Sequence, residues 1–130
     1  MVHANELRIG NKLWLCRHDG SEPVAATVAG LQAADGKLLV QTEEHAPADV
    51  SKDFRPIHLT EAHLEGCGFK RDEIEYIGPL WHLHPVQILD EDGLWLVNDK
   101  LRKRLKLHSL HQLQNLFFAL TGKELEVTRL

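Results

Sequence analysis

Two of the nine histidines in this chain are spaced as metal ligands often are. His82 and His84 lie two apart, and on a β-strand residues two apart share a face. Both imidazoles could then turn toward one ion. Zinc takes three or four protein ligands, and His108, or His111, at the start of a following helix could supply the third. No cysteine or carboxylate stands at a diagnostic spacing beside them, so half-buried or surface histidines are the plainer reading and no cofactor is expected. A second pattern is Lys100-Leu-Arg-Lys-Arg-Leu-Lys106. Strand alternation would place Lys100, Arg102, Arg104 and Lys106 on one face as a basic stripe able to track phosphates. Such residues also guard an edge strand against pairing with other chains. Trp14, Trp81 and Trp95 could stack on a ligand, although core packing is the commoner use of tryptophan. Nucleophile chemistry finds no support: the chain has no GxSxG, P-loop or GxGxxG. Ser21, Ser51 and Ser109 read as turn, loop and cap residues, and an enzyme is not expected.

The whole chain sets the frame for these residues. Its 130 residues suit a single domain able to bury a core. A composition 43% hydrophobic and 26% charged is that of a globular protein rather than a disordered one. The net charge of −4 provides no general attraction to nucleic acid or acidic membranes. No apolar run has the length of a membrane span, and the first residues lack a signal-peptide pattern. Cys16 and Cys67 fall outside any CxxC spacing, so two buried free thiols in a reducing cytoplasm are expected.

The elements that must position the candidates can be read in order. Residues 1–45 form a strand-rich portion: Leu13 to Cys16, Val24 to Leu31 and Lys37 to Thr42, with turns at Asp19-Gly-Ser21 and Ala34-Asp-Gly36. Short strands with Gly-bearing turns suggest a small curled antiparallel sheet, SH3-like in character. Residues 43–55 are polar and aperiodic and read as a surface loop. A short helix should follow from N-cap Thr60, stapled by Leu59 and Leu64 and stopped at Gly68 with Phe69 folding back. Strands are then expected at Ile74 to Ile77, Leu80 to Leu89, Leu94 to Val97 and Leu101 to Leu107, as an antiparallel meander. Glu124 to Thr128 alternates and predicts a returning edge strand. The fold class is therefore α+β: the SH3-like portion, a short helix, and an antiparallel sheet packed by a C-terminal helix, with residues 56–130 as the second portion of one domain.

That last helix has the strongest local signals. Ser109 can cap it, Gln112 can complete a capping box, and Gly122 can end it in the left-handed conformation. Leu110, Leu113, Leu116, Phe117 and Leu120 recur on one arc, which predicts the packed face. Phe118 falls on the other side with His111 and Asn115. Those three are the candidate interaction residues, on the ground that an exposed aromatic can mark a contact patch.

Three stretches carry a resemblance: Asn5-Glu-Leu-Arg-Ile-Gly-Asn11, Pro56-Ile-His-Leu-Thr-Glu61 with Gly68-Phe69, and His111-Gln-Leu-Gln-Asn-Leu-Phe-Phe-Ala-Leu-Thr-Gly-Lys-Glu-Leu125. In this order they resemble a family of small uncharacterised proteins common in Bacteroidetes genomes and their phages and mobile elements. The resemblance implies a bacterial cytoplasmic protein, prophage-borne in some genomes, and no activity or catalytic residue comes with it. The leading expectation is a small non-enzymatic accessory protein acting through contacts with another protein or with itself. The alternatives are a nucleic-acid-binding accessory protein using the basic stripe and a histidine-based metal protein.

Overall fold

The computed structural model describes residues 2–76, 78–91, 94–98, 104–128 and 130, with side chains for all of these but 4, 91, 94–98, 104 and 105. The fold is mixed α+β, with antiparallel sheets and a C-terminal helix. The chain divides into two compact units, Met1–Ile57 and His58–Leu130.

The first unit is one five-stranded sheet. A 3-10 turn at Ala4–Glu6 leads into β1 (Lys12–Leu15), β2 (Val24–Ala34), β3 (Lys37–Thr42), β4 (Ala48–Asp49) and β5 (Phe54–Pro56). Their order across the sheet is β4-β3-β2-β1-β5. Alternation decides which residues are buried: Leu13 and Leu15 of β1 point into the core while Lys12 and Trp14 are half-buried. They meet Ala26, Val28, Val40, Val50 and Phe54 there. β2 is long enough to serve both halves of the sheet, since Val24 to Thr27 pair with β1 and Val28 to Ala34 with β3. The register shifts between Val28 and Gly30, and a bulge of this kind sharpens local twist and bends the strand. The hairpin turn falls at Asp35 and Gly36, both at positive φ, as the Asp-Gly signal predicts.

Asn11 fixes how the chain enters β1. It is fully buried, and its side-chain oxygen accepts the Arg8 amide at 2.8 Å while its backbone carbonyl accepts from Val28 at 2.9 Å. The surface loop expected over residues 43–55 is corrected: β4 and β5 lie within or across that stretch. Strands of two and three residues are too short to show a period, and Val50 and Phe54 are nevertheless buried. The Asp53 carboxylate accepts the Asp49 amide at 2.9 Å, and its other oxygen lies 2.7 Å from His18 Nε2.

The second unit begins with α1 (Glu61–Gly66). The predicted stop is present in full, since the Gly68 amide donates to Glu65 at 3.1 Å and the Phe69 amide to Leu64 at 3.0 Å. That is the paired hydrogen bonding of a Schellman ending, with Gly68 at positive φ. The meander follows as β6 (Lys70–Ile74), β7 (Gly78–Leu83), β8 (Val86–Glu91), β9 (Leu94–Asn98) and β10 (Arg104–Leu107), in the order β10-β9-β8-β7-β6. The antiparallel meander is as expected, with three boundary corrections. The first strand is Lys70–Ile74, which meets the expected Ile74 to Ile77 run only at Ile74, because Glu75 and Tyr76 form the turn. The run from Leu80 to Leu89 is two strands folded back at His84-Pro85, not one. Glu124 to Thr128 is no strand, and Thr128 Oγ1 instead donates to the Gly66 carbonyl. One face of the meander buries Trp81, Val86 and Ile88, with Trp81 directly opposite Ile88.

The closing helix is α2 (Leu110–Thr121). Gly122 ends it at φ 71°, and its amide donates to the Phe118 carbonyl at 2.7 Å. At its start, Gln112 Oε1 accepts from the His108 amide at 2.8 Å and the Ser109 amide at 3.2 Å. The Ser109 hydroxyl is buried with no hydrogen-bond partner among the described residues, so the capping box is closed from the Gln112 side. The starts of the two helices are tied together, because the Leu59 amide donates to the His108 carbonyl at 3.0 Å and His58 bridges to Ser109.

Candidate functional site

The histidine pair does not form the arrangement that its spacing allowed. His82 sits in β7 with Nε2 2.6 Å from an Asp72 carboxylate oxygen. His84 lies in the turn after β7 and is exposed. Strand alternation ends at Leu83, so the two rings no longer share a strand face. Pro85, which offers no amide to a ladder, is the sequence signal for that turn. His108 is exposed ahead of α2. Among the described residues, no three His, Cys, Asp or Glu side chains gather as a metal site.

The basic stripe is described only at one end. Lys100 and Arg102 lie outside the described residues. Arg104 and Lys106 are two apart on β10, at the edge of the sheet, and Lys106 is exposed. Of the tryptophans, Trp81 is buried, Trp14 is half-buried, and Trp95 pairs through its backbone with Asp90 and Leu107.

The serines do what the sequence reading gave them to do in turns. Ser21 donates from its amide to Asp19 at 2.9 Å, and Ser51 does the same to Asp49 at 2.9 Å. The Ser21 and Ser51 side chains also donate to these carboxylates, which holds both acids below the usual value. Burial pushes the Cys67 thiol up to about 11, so at neutral pH it remains a protonated thiol rather than a nucleophile.

His63, which carries no motif or spacing signal, has a defined role. His63, at the third position of α1, is buried, and its Nδ1 accepts the Thr60 amide at 3.0 Å. An amide can only donate, so Nδ1 carries no proton in this arrangement. Burial lowers the His63 pKa, and nearby His58 lowers it further. The unfolded chain therefore takes up the His63 proton first as pH falls. This contribution to stability is complete above the unfolded value, about 6.5. It should decline as pH drops from there toward the lower folded value. His63→Gln keeps a side-chain acceptor at the capping position and cannot titrate. Urea midpoints at pH 7.5 and 5 should differ less for that variant than for wild type, and an equal difference would remove His63 as the cause.

The contact candidates on α2 separate into two groups. His111 is 1% exposed, which corrects its expected place on a solvent-facing patch. Asn115 is half-buried. Phe118 is 37% exposed, and Leu120, assigned to the packed arc, is 53% exposed. Leu116 and Phe117 are half-buried. The buried residues are Leu110, His111, Leu113 and Gln114, all in the first half of the helix. The second half thus presents Phe118, Ala119 and Leu120 to solvent. No charged side chain occurs anywhere between Ser109 and Gly122. Phe118 and Leu120 are two apart on the helix and so stand on different sides of it, each an apolar side chain reaching solvent near its end.

Among the described residues Tyr76 is also an exposed aromatic, 99% exposed at the turn between β6 and β7 and at positive φ.

These features define an α+β protein with an antiparallel meander and an exposed apolar helix end. Searches against protein-family models, curated proteins and solved structures find no match. No helix among the described residues is long and apolar enough to cross a membrane.

Proposed function

We propose that this chain is a small non-enzymatic accessory protein that works through protein contacts, with the C-terminal end of α2, around Phe118, as the contact region. The observation carrying this reading is the joint exposure of Phe118 and Leu120 on a helix without charged side chains. Exposed apolar side chains lose contact with water on binding, at roughly 25 cal/mol per Å², and no buried charge opposes the contact. The reading includes an SH3-like character for the first unit, supported by the β4-β3-β2-β1-β5 order and the long bulged β2. It also includes the bacterial, cytoplasmic and prophage-borne setting implied by the resemblance of the three stretches quoted above.

The test is a double variant, Phe118→Glu with Leu120→Glu, made in the full chain. Leu120 is 53% exposed and Phe118 37%, and far-ultraviolet circular dichroism checks that the variant keeps its helix. A protein that co-purifies stoichiometrically with wild type and binds it again when both are pure should not bind the variant. Undiminished binding by the variant would remove α2 as the contact face.

A second reading, nucleic-acid binding, is favoured by Arg104 and Lys106 standing two apart on an edge strand. Binding of that kind falls steeply with salt, which separates it from an apolar contact.

A further inference from the structure

We infer that the outer edge of β2 near the Asp35-Gly36 turn pairs antiparallel with the same edge of a second copy of this chain, around a two-fold axis at Gln32. β2 outruns its neighbour: Val24 to Thr27 pair with β1, and the outer side of Val28 is held by Gly10 and Asn11. Beyond Val28 the strand pairs with β3 alone, as far as Ala34 opposite Lys37. Asp35 and Gly36 form a tight turn, both at positive φ, so Ala34 and Lys37 are a hydrogen-bonded pair. Alternation then turns the amides and carbonyls of Gln32 and Ala34 toward β3 and those of Leu31 and Ala33 away from it. Among the described residues, nothing makes a backbone hydrogen bond to that outer side of Leu31 or Ala33. Ala29 and Leu31 to Ala33 are exposed.

An open row of N–H and C=O groups is matched by another extended strand, and the chemistry of this stretch selects its own copy. The outermost strands of the two sheets are protected. β4 has two residues, β5 ends in Pro56, β6 is a run of charges from Lys70 to Glu73, and β10 carries Arg104 and Lys106. Residues 24–34 contain no charged side chain and no proline. An isologous contact sets a patch against itself, so the absence of charge removes the repulsion such a contact usually meets. With the axis at Gln32, Leu31 of each copy lies opposite Ala33 of the other, a large side chain beside a small one. Each such pair exchanges both its N–H···O bonds. Gln32 meets itself, and a carboxamide carries both donors and an acceptor, so two of them complement each other. The register follows from Val28. An axis at Leu31 would bring the copy's turn opposite Thr27, where β1 already pairs, whereas an axis at Gln32 leaves that turn beside Ala29. The contact is short, far below the ~800 Å² per partner of a stable interface, so the pair is weak and concentration-dependent. It concerns β2 and is independent of the α2 reading above.

Two measurements on the full chain test this. In sedimentation equilibrium from about 10 μM to about 1 mM, wild type should show a monomer–dimer equilibrium. Gln32→Glu sets two carboxylates against each other on the axis and should weaken it about fivefold or more. Gln32→Thr, a residue that pairs well with itself across strands, should retain it. Hydrogen exchange of wild type needs no variant. The amides of Leu31 and Ala33 should exchange more slowly at the higher concentration, while those of Gln32 and Ala34, already bonded to β3, should not change. A wild type that stays monomeric throughout overturns the inference, as does a dimer indifferent to Gln32→Glu. A dimer whose Leu31 and Ala33 amides exchange at the monomer rate also overturns it, because the contact then lies elsewhere. Protection of those amides only on adding a different extended peptide overturns it too, by giving the edge to another chain.

Discussion

Trp81→Ala should destabilise the protein by about 3–5 kcal/mol, the largest single-residue effect expected here. Trp81 lies in the middle of β7, 2% exposed and directly opposite Ile88, which is fully buried. Removing the indole takes away transfer energy and leaves a cavity that the strand ladder on both sides cannot close. Trp81→Phe should behave quite differently. The indole Nε1 is buried with no hydrogen-bond acceptor among the described residues, and burying such a donor costs about 1–3 kcal/mol. Phenylalanine keeps most of the aromatic volume and removes that donor. Its loss should be less than half that of alanine. Denaturant melts of both variants check the pair. A loss under about 1 kcal/mol for Trp81→Ala would mean the sheet face is not packed as described.

The second large effect separates the two halves of α2. Leu113→Ala should cost about 2–5 kcal/mol, because Leu113 is fully buried and leaves a cavity. Leu120→Ala should cost less than about 0.5 kcal/mol, as for an exposed surface position. Phe117, half-buried, should fall between them. On periodicity alone all three belong to one packed arc and should respond alike. Equal losses at Leu113 and Leu120 in urea melts would place the second half of the helix in a packed environment and would remove the contact face with it.

Much of the fold is legible in the sequence where a few adjacent residues decide the outcome. The capped start of α1 at Thr60, the Gly68 and Phe69 ending, the Asp35-Gly36 turn and the Gly122 stop each depend on hydrogen bonds spanning six residues or fewer. The stretches around Asn11, Thr60 and Gly122 do this same work. Asn11 fixes the approach to β1, Leu59 and Thr60 start α1, and Gly122 ends α2. Residues 43–55 were not legible, because β4 and β5 are too short to show alternation and are held by pairing with distant β3 and β1. His82 and His84 part for a related reason: strand alternation holds only as far as Leu83, and the chain reverses at His84-Pro85.

The sequence by itself determined the α+β class, the meander, both helices and nearly all of their ends. These follow from local propensity, capping and turn chemistry, which act over a few residues whatever the rest of the chain does. Only the tertiary structure decided which part of α2 is covered. Helical periodicity specifies an angular face, but not how far along the axis the covering elements reach. Twelve residues at ~1.5 Å each make a helix of roughly 18 Å. Burial is confined to its first half, at Leu110, His111, Leu113 and Gln114. Two of those four are polar, and no hydropathy pattern assigns polar residues to a core, because their burial depends on what neighbouring elements bring to them. The same placement leaves Leu120 in water, and with it the surface on which the proposed function rests.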